Sequence, residues 1–103
     1  MNQKQSKQII MVAKLEVQPG KLEAFLEYIV PNLTLSRSAK GNIRFDVLMG
    51  EVHKGAVVFY EEWESPEAQQ AYLAWRVERG DLTRLMSYLS GAPEFTSYRR
   101  LSG

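Results

Sequence analysis

Cysteine is absent from the 103-residue sequence, and histidine occurs only once, at position 53. Without cysteine the chain has no disulfide, no thiolate nucleophile and no zinc–thiolate site. One histidine and dispersed carboxylates are a poor ligand set for a transition metal, so we expect no metal site. Thiol chemistry and metal chemistry are therefore not expected.

An excess of charge of one sign is also lacking. Lys and Arg number 13 against 12 Asp and Glu, which gives a net charge of +1. No basic surface is available to hold a phosphate backbone, so we expect no nucleic-acid partner. No apolar run approaches the roughly 20 residues of a membrane span, and we expect no membrane partner. Phosphate-binding glycine loops and nucleophile elbows are missing too, which disfavours nucleotide binding and acyl transfer.

The first eight residues, MNQKQSKQ, are polar. They have no apolar segment of the kind found in secretory signals, so we expect a cytoplasmic protein. Residues 1–8 are predicted to form a flexible tail, and residues 9–103 a single domain.

Strands are predicted where apolar and polar residues alternate. This pattern occurs four times, at Ile9–Val17, Asn42–Leu48, Ala56–Trp63 and Glu94–Leu101. Helical spacing of apolar residues predicts a helix from Leu22 to Arg37, which Pro31 should kink or divide. A second helix should begin at Pro66 after an N-cap at Ser65, and a third should follow Gly80 with Asp81 as its cap.

The resulting order, β-α-β-β-α-(α)-β, is typical of a ferredoxin-like α+β fold, with helices on one face of a four-stranded antiparallel sheet. Apolar residues such as Ile10 and Val12 also occupy the opposite face of the first strand. A second copy of the chain would cover that face, which predicts an isologous homodimer.

Aromatic residues cluster around the end of the third strand. Trp63 closes the strand, and Tyr72 and Trp75 follow at helical spacing on the second helix. The three residues indicate either an aromatic pocket or an aromatic core, and the residues alone do not separate these alternatives.

Three segments carry a resemblance to a known family: LEVQPGK at 15–21, GNIRFDV at 41–47 and FYEEWESPEA at 59–68. From Ile9 to Leu101 the chain resembles the antibiotic biosynthesis monooxygenase (ABM) family, within the dimeric α/β-barrel superfamily. This resemblance implies oxidation of a small aromatic, phenolic or quinol-like molecule by molecular oxygen, without flavin, haem, metal or another cofactor. It also implies a pocket between the sheet and the helices of each subunit, which orients the substrate, favours its deprotonation and excludes water.

The resemblance assigns roles residue by residue. Trp63 matches the family's tryptophan at the end of the strand, and Tyr72 occupies a helix position where many members have a histidine. These two are the catalytic candidates. Apart from the resemblance, the substrate-binding candidates are Phe25, His53, Trp75 and Arg76, and Arg76, with Arg79, could hold an anionic or quinone oxygen. Because the family's histidines are missing, Tyr72 is expected to orient the substrate rather than deprotonate it, since a phenol has a pKa near 10. The haem-degrading branch places an asparagine where this chain has Ala13, which argues against haem.

Five of these six assignments have a simpler alternative. Core packing alone would explain the three aromatic residues Trp63, Tyr72 and Trp75. His53 would then be an exposed residue of a hairpin loop, and Arg76 a solvated charge near the end of a helix. Glu61, Glu62 and Glu64 form an acidic cluster that favours a structural or exposed role, and strand alternation sends Glu61 and Glu62 to opposite faces. For the whole protein, two alternatives to a monooxygenase stay open. One is a non-catalytic small-ligand-binding or stress-associated dimer, and the other is a cofactor-free isomerase.

Overall fold

The computed structural model describes residues 7–103. Most of the predicted flexible tail at 1–8 therefore lies outside the described residues. Four strands and three helices follow one another in the described part, as β1 (Ile9–Glu16), α1 (Leu22–Arg37), β2 (Asn42–Met49), β3 (Ala56–Trp63), α2 (Pro66–Glu78), α3 (Asp81–Met86) and β4 (Glu94–Tyr98).

The strands form one antiparallel sheet in the order β2-β3-β1-β4. The predicted ferredoxin-like α+β fold is confirmed, because β1 and β3 lie in the middle of the sheet and each helix connects strands across one face. No helix within residues 7–103 is long and apolar enough to cross a lipid bilayer.

Strand β3 determines which side chains enter the core. Its residues alternate in burial, and Val57, Phe59, Glu61 and Trp63 all point to the helix side. Its neighbour β1 contributes the fully buried Ala13 directly opposite Phe59. One carboxyl, that of Glu61, is thereby placed among apolar side chains on the covered face of the sheet.

Helix α2 begins as predicted. The Ser65 side chain accepts a hydrogen bond from the backbone N–H of Ala68 at 3.1 Å, and Pro66 occupies the first turn. The predicted cap of α3 is wrong, because Gly80 takes the N-cap position and Asp81 is the first helical residue. The Asp81 carboxylate instead bonds to arginine side chains at the end of α2, and charged donors bind a carboxylate more strongly than a backbone N–H does.

Helix α1 runs through Pro31 as one element, so of the two predicted alternatives, a kink or a division, the division does not occur. Phe25 and Ile29 before Pro31 are buried in the core, and Leu33 after it packs against the same core. Packing on both sides of the proline keeps the two halves on one sheet surface. Pro31 itself is exposed, so its ring displaces no core side chain.

Strand β4 is shorter than predicted. It pairs with β1 only as far as Tyr98, which lies opposite Ile10, so Arg99 to Leu101 have almost no partner strand left to pair with. Leu101 is 93% exposed. Apolar and polar residues continue to alternate after Tyr98, which predicted a longer strand, but β1 is too short to pair with these residues.

The connection from α1 to β2 passes close to α2 at Gly41. Its backbone is in the left-handed region, with φ of 85°, and a Cβ at this position would lie 2.5 Å from the Cβ of Ala68. The carbonyl of Gly41 also accepts a hydrogen bond from the backbone N–H of Glu64 at 2.8 Å. Only glycine satisfies the backbone angle and this close approach together.

Replacing Gly41 by alanine should therefore destabilise the fold through two separable effects. Gly20 has nearly the same φ, 83°, but a Cβ added there would meet no atom within 4 Å. We expect Gly20→Ala to cost about 1–2 kcal/mol from backbone strain alone, and Gly41→Ala to cost about 1–3 kcal/mol more from the clash with Ala68. Urea unfolding of both variants measures the difference between their free energies of unfolding. Equal losses of stability in the two variants would show that α2 moves aside freely.

Candidate functional site

A cavity of about 70 Å³ lies between the helices and the covered face of the sheet. Its walls are largely apolar, and every helix and every strand of the described residues contributes to them. The apolar lining side chains are Ala13, Leu15, Ile29, Leu33, Phe45, Phe59, Leu73, Leu82, Leu85 and Phe95. An apolar cavity with a few converging polar groups is the usual form of a small-molecule site.

Glu61 is the most unusual polar group in this cavity. Its side chain lines the wall while the residue is only 4% exposed, and one carboxyl oxygen accepts a hydrogen bond from the indole Nε1 of Trp63 at 2.8 Å. Burial disfavours the ionised form and raises the pKa of Glu61 from 4.5 to about 7, and the bond from Trp63 opposes this only in part. A carboxyl with a pKa near neutrality can both take up and release a proton at working pH.

Tyr72 reaches the cavity from α2. Its hydroxyl and the Ser36 hydroxyl form a hydrogen bond of 2.5 Å, which ties α2 to α1. Its ring lies against the buried indole of Trp63, with centroids 5.0 Å apart. Burial raises the pKa of Tyr72 above its usual value of 10, so the hydroxyl stays protonated and is able to donate a hydrogen bond.

Arg76 lies one turn further along α2 and also lines the cavity. Its Nε donates to the Asp81 carboxylate at 2.7 Å, and its guanidinium lies 5.7 Å from the centre of the Tyr72 ring. Arg79 shares the same Asp81 oxygen at 2.8 Å but does not line the cavity.

The structure brings two of the six predicted site residues, Tyr72 and Arg76, to the cavity wall. Trp63 is fully buried behind that wall, where it holds Glu61 and supports Tyr72.

The other three predicted residues lie elsewhere. Phe25 is fully buried in the core, with its ring 5.8 Å from that of Tyr88. Trp75 is 40% exposed on the outer side of α2 and stacks against Arg79. His53 lies in the exposed β2–β3 loop and pairs with the Glu16 carboxylate. None of the three lines the cavity.

Sequence reasoning missed five polar cavity residues, which are Tyr28, Asn32, Ser36, Glu61 and Asp81. For Glu61 a signal was present, since it shares the strand face of Val57, Phe59 and Trp63, and a carboxyl on a core face is rare unless it has a role. Asn32 and Ser36 carry no comparable signal. The Asn32 side chain donates to the carbonyl of Tyr28 at 2.6 Å, one turn earlier in α1.

Across residues 7–103, no group of three or more histidine and carboxylate side chains is arranged to hold a metal ion. The cavity offers instead a proton-accepting carboxyl, hydroxyl donors and a guanidinium within apolar walls. These groups suit proton abstraction from a small apolar molecule and stabilisation of the anion that results.

Comparison with known proteins gives a consistent assignment. Residues 8–77 match the family model described as "Antibiotic biosynthesis monooxygenase". No curated protein matches the chain significantly.

Several solved structures share the fold. A conserved protein from Methanosarcina mazei Go1 is 20% identical, with a TM-score of 0.84 over 92% of this chain and 94% of that chain. A candidate antibiotic biosynthesis monooxygenase from Nitrosomonas europaea is 24% identical, with a TM-score of 0.78 over 97% and 96% of the two chains. A mutant of SnoaB, described as a cofactor-independent oxygenase from Streptomyces nogalater, is 15% identical, with a TM-score of 0.82 over 94% and 96%.

The raised pKa of Glu61 predicts a pH-dependent stability. Because the folded state binds the proton more tightly than the unfolded state does, the free energy of unfolding should fall as pH rises from about 4.5 to about 7. The contribution of this one group amounts to about 3 kcal/mol. In Glu61→Gln the amide oxygen can still accept from Trp63, so the variant should gain stability relative to the native protein as pH rises. Urea unfolding at pH 5 and pH 8 measures this gain, and parallel changes in both proteins would contradict it.

Proposed function

The chain belongs to the antibiotic biosynthesis monooxygenase family, and we propose that it oxidises a small aromatic, quinol-like metabolite with molecular oxygen and without a cofactor. The observation that carries this proposal is the buried carboxyl of Glu61. This carboxyl lines an apolar cavity, and its pKa is about 7. It supplies the base that the missing histidines would otherwise provide.

Cofactor-free oxygenation requires the substrate to provide the electrons. Glu61 removes a proton from an acidic C–H group of the substrate, which leaves the electron pair on carbon. The anion transfers electrons to oxygen, a carbon–oxygen bond forms, and the resulting peroxide takes a proton back from Glu61. Loss of water from the hydroperoxide then leaves a carbonyl, so that CH₂ and O₂ become C=O and H₂O.

Other residues prepare this step rather than perform it. Trp63 is a positioning residue, because it donates to Glu61 without lining the cavity. Tyr72 offers a hydroxyl that Ser36 holds in place, and it can orient a substrate oxygen. The apolar walls keep bulk water from the anion, which would otherwise be reprotonated before it meets oxygen.

Oxygen uptake with a panel of anthrones, dihydroxynaphthalenes and quinols tests the proposal. We expect turnover in the native protein and at least about a hundredfold loss in Glu61→Gln, which is the usual contribution of a general base. The rate should rise with pH through about 7, because Glu61 must be ionised to accept the proton.

Glu62→Gln is the matched control. Glu62 is adjacent in sequence but on the other sheet face, where it accepts from the Tyr60 hydroxyl at 2.8 Å, so its loss should leave the rate nearly unchanged. Ligand binding without oxygen consumption would instead favour a non-catalytic binding protein. Turnover under anaerobic conditions would favour an isomerase.

We further propose that the functional unit is a homodimer built on the open face of the sheet. Ile10, Val12, Val58 and Tyr60 lie together in the centre of this face, on the two middle strands. Leu48 and Tyr98 extend the apolar surface to the two outer strands, and each is 51% exposed. Charged side chains surround it, including the Arg44–Asp46 pair at 2.6 Å. An apolar centre with a polar rim is typical of a subunit interface.

A charge at the centre of this face should separate the subunits. We expect the native protein to have twice the 11.8 kDa mass of one chain in light scattering. Val12→Glu should reduce the mass to that of one chain, because the carboxylate would be buried without a partner. Val52→Glu is the matched control, since Val52 is 99% exposed in the β2–β3 loop. A native protein that is monomeric at micromolar concentration would refute the dimer.

A further inference from the structure

Two buried polar atoms at the cavity have no hydrogen-bond partner of good geometry among the described residues. They are the hydroxyl oxygen of Tyr28 and the guanidinium Nη1 of Arg76. Both residues line the cavity, Tyr28 from α1 and Arg76 from α2. Burying a donor without a partner destabilises the fold, so two such donors at one cavity indicate a group that binds there.

Both side chains are held in place without using these two atoms. Arg76 is anchored through its Nε, which bonds to Asp81, and only 12% of its side chain is exposed. The Tyr28 ring stacks on Tyr88 with centroids 5.7 Å apart, and the Arg84 guanidinium lies 4.6 Å from its centre. The free donors are therefore fixed on rigid supports, as a preorganised binding site requires.

The charge around these donors is positive. Among residues 7–103, the carboxylate that pairs with Arg76 is Asp81, and Asp81 also pairs with Arg79. Arg84 adds a third positive charge near Tyr28. Glu61 is ionised above about pH 7, but it is not the partner of Arg76, since the influences on its pKa are burial and the Trp63 hydrogen bond.

The two donors also lie close to each other. Burial raises the pKa of the Tyr28 hydroxyl and the Asp81 carboxylate raises it further, while the Arg76 guanidinium lowers it only in part, through its charge and a side-chain hydrogen bond to this hydroxyl. The hydroxyl therefore stays protonated and can donate. Because Arg76 and Tyr28 are both donors, one acceptor placed between them would satisfy both.

The geometry points to Tyr28 and Arg76 as the binding site for an anionic oxygen of the ligand, on an aromatic phenolate or carboxylate. The inference rests on the proposed function in taking the cavity as the substrate site, and it adds the group that selects the substrate's charge. Arg76 would donate a charge-assisted hydrogen bond and Tyr28 a second one to the same ionised group. Glu61 would then act on a substrate that is already oriented by its negative oxygen.

Binding of small probes that are not turned over tests this site directly. We use 4-nitrophenol as its phenolate, 4-nitrobenzoate as the carboxylate, and nitrobenzene as the neutral analogue, all above about pH 8 by calorimetry. We expect the native protein to bind at least one anion at least about tenfold more tightly than nitrobenzene. Which anion binds better distinguishes a phenolate site from a carboxylate site. Arg76→Met and Tyr28→Phe should each abolish most of this preference and leave nitrobenzene binding within about threefold.

Two matched variants exclude a general loss of structure or charge. Arg79→Met removes an equivalent cation that also binds Asp81 but does not line the cavity. Tyr88→Phe keeps the ring stacked on Tyr28 and removes a hydroxyl that bonds to Arg84 and lies outside the cavity lining. Both should retain at least half of the anion preference.

Equal binding of the anions and nitrobenzene to the native protein would overturn the inference, as would equal effects of Arg76→Met and Arg79→Met. Oxygen uptake by the native protein and by Glu61→Gln is measured separately. If the anions show no preference but oxygen uptake is lost in Glu61→Gln, the anion site alone is refuted. If the anions bind preferentially but no oxygen is consumed, the oxygenase proposal alone is refuted.

Discussion

The site depends on one costly placement, a carboxyl on the covered face of a β-sheet. Glu61 is surrounded by apolar walls and has one strong donor, the indole of Trp63. Removing a carboxyl from water penalises its ionised form, and a single neutral donor compensates only in part. The protein therefore has a destabilising group at the centre of its core. Active sites commonly contain such groups, because activity requires them although they lower the stability of the fold. Much of the surrounding packing, from the Tyr72 ring against Trp63 to the Ser36–Tyr72 hydrogen bond, holds this carboxyl and its surroundings in place.

Periodicity predicted most of the fold. Alternation in β3 placed Glu61 and Glu62 on opposite faces, and the spacing before Gly80 located the break between α2 and α3. The errors arose where a competing interaction decided the outcome. Asp81 has good capping chemistry, but the arginines at the end of α2 occupy its carboxylate. Residues after Tyr98 alternate like a strand, but β1 is too short to pair with them.

The candidate site was harder to predict from the sequence. Tyr72, Trp75 and Arg76 are close in sequence, yet neighbouring helical positions point about 100° apart, so the helix turns Trp75 outward while Tyr72 and Arg76 face the cavity. Glu61 was recognisable as polar on an apolar face, but its acidic neighbours made it resemble a solvated cluster. The unpaired atoms of Tyr28 and Arg76 come from different helices, and no local pattern in a sequence reports that two donors lack acceptors.

The position of Trp63 has a practical consequence for spectroscopy. Of the two tryptophans, Trp75 is partly exposed and Trp63 is fully buried with its N–H bonded to the Glu61 carboxyl. Indole emission depends on polarity and on nearby proton donors, so the blue-shifted component from Trp63 reports the ionisation of Glu61 without an added label. The indole at the end of β3 thus provides this chain with an intrinsic fluorescent probe beside its own cavity.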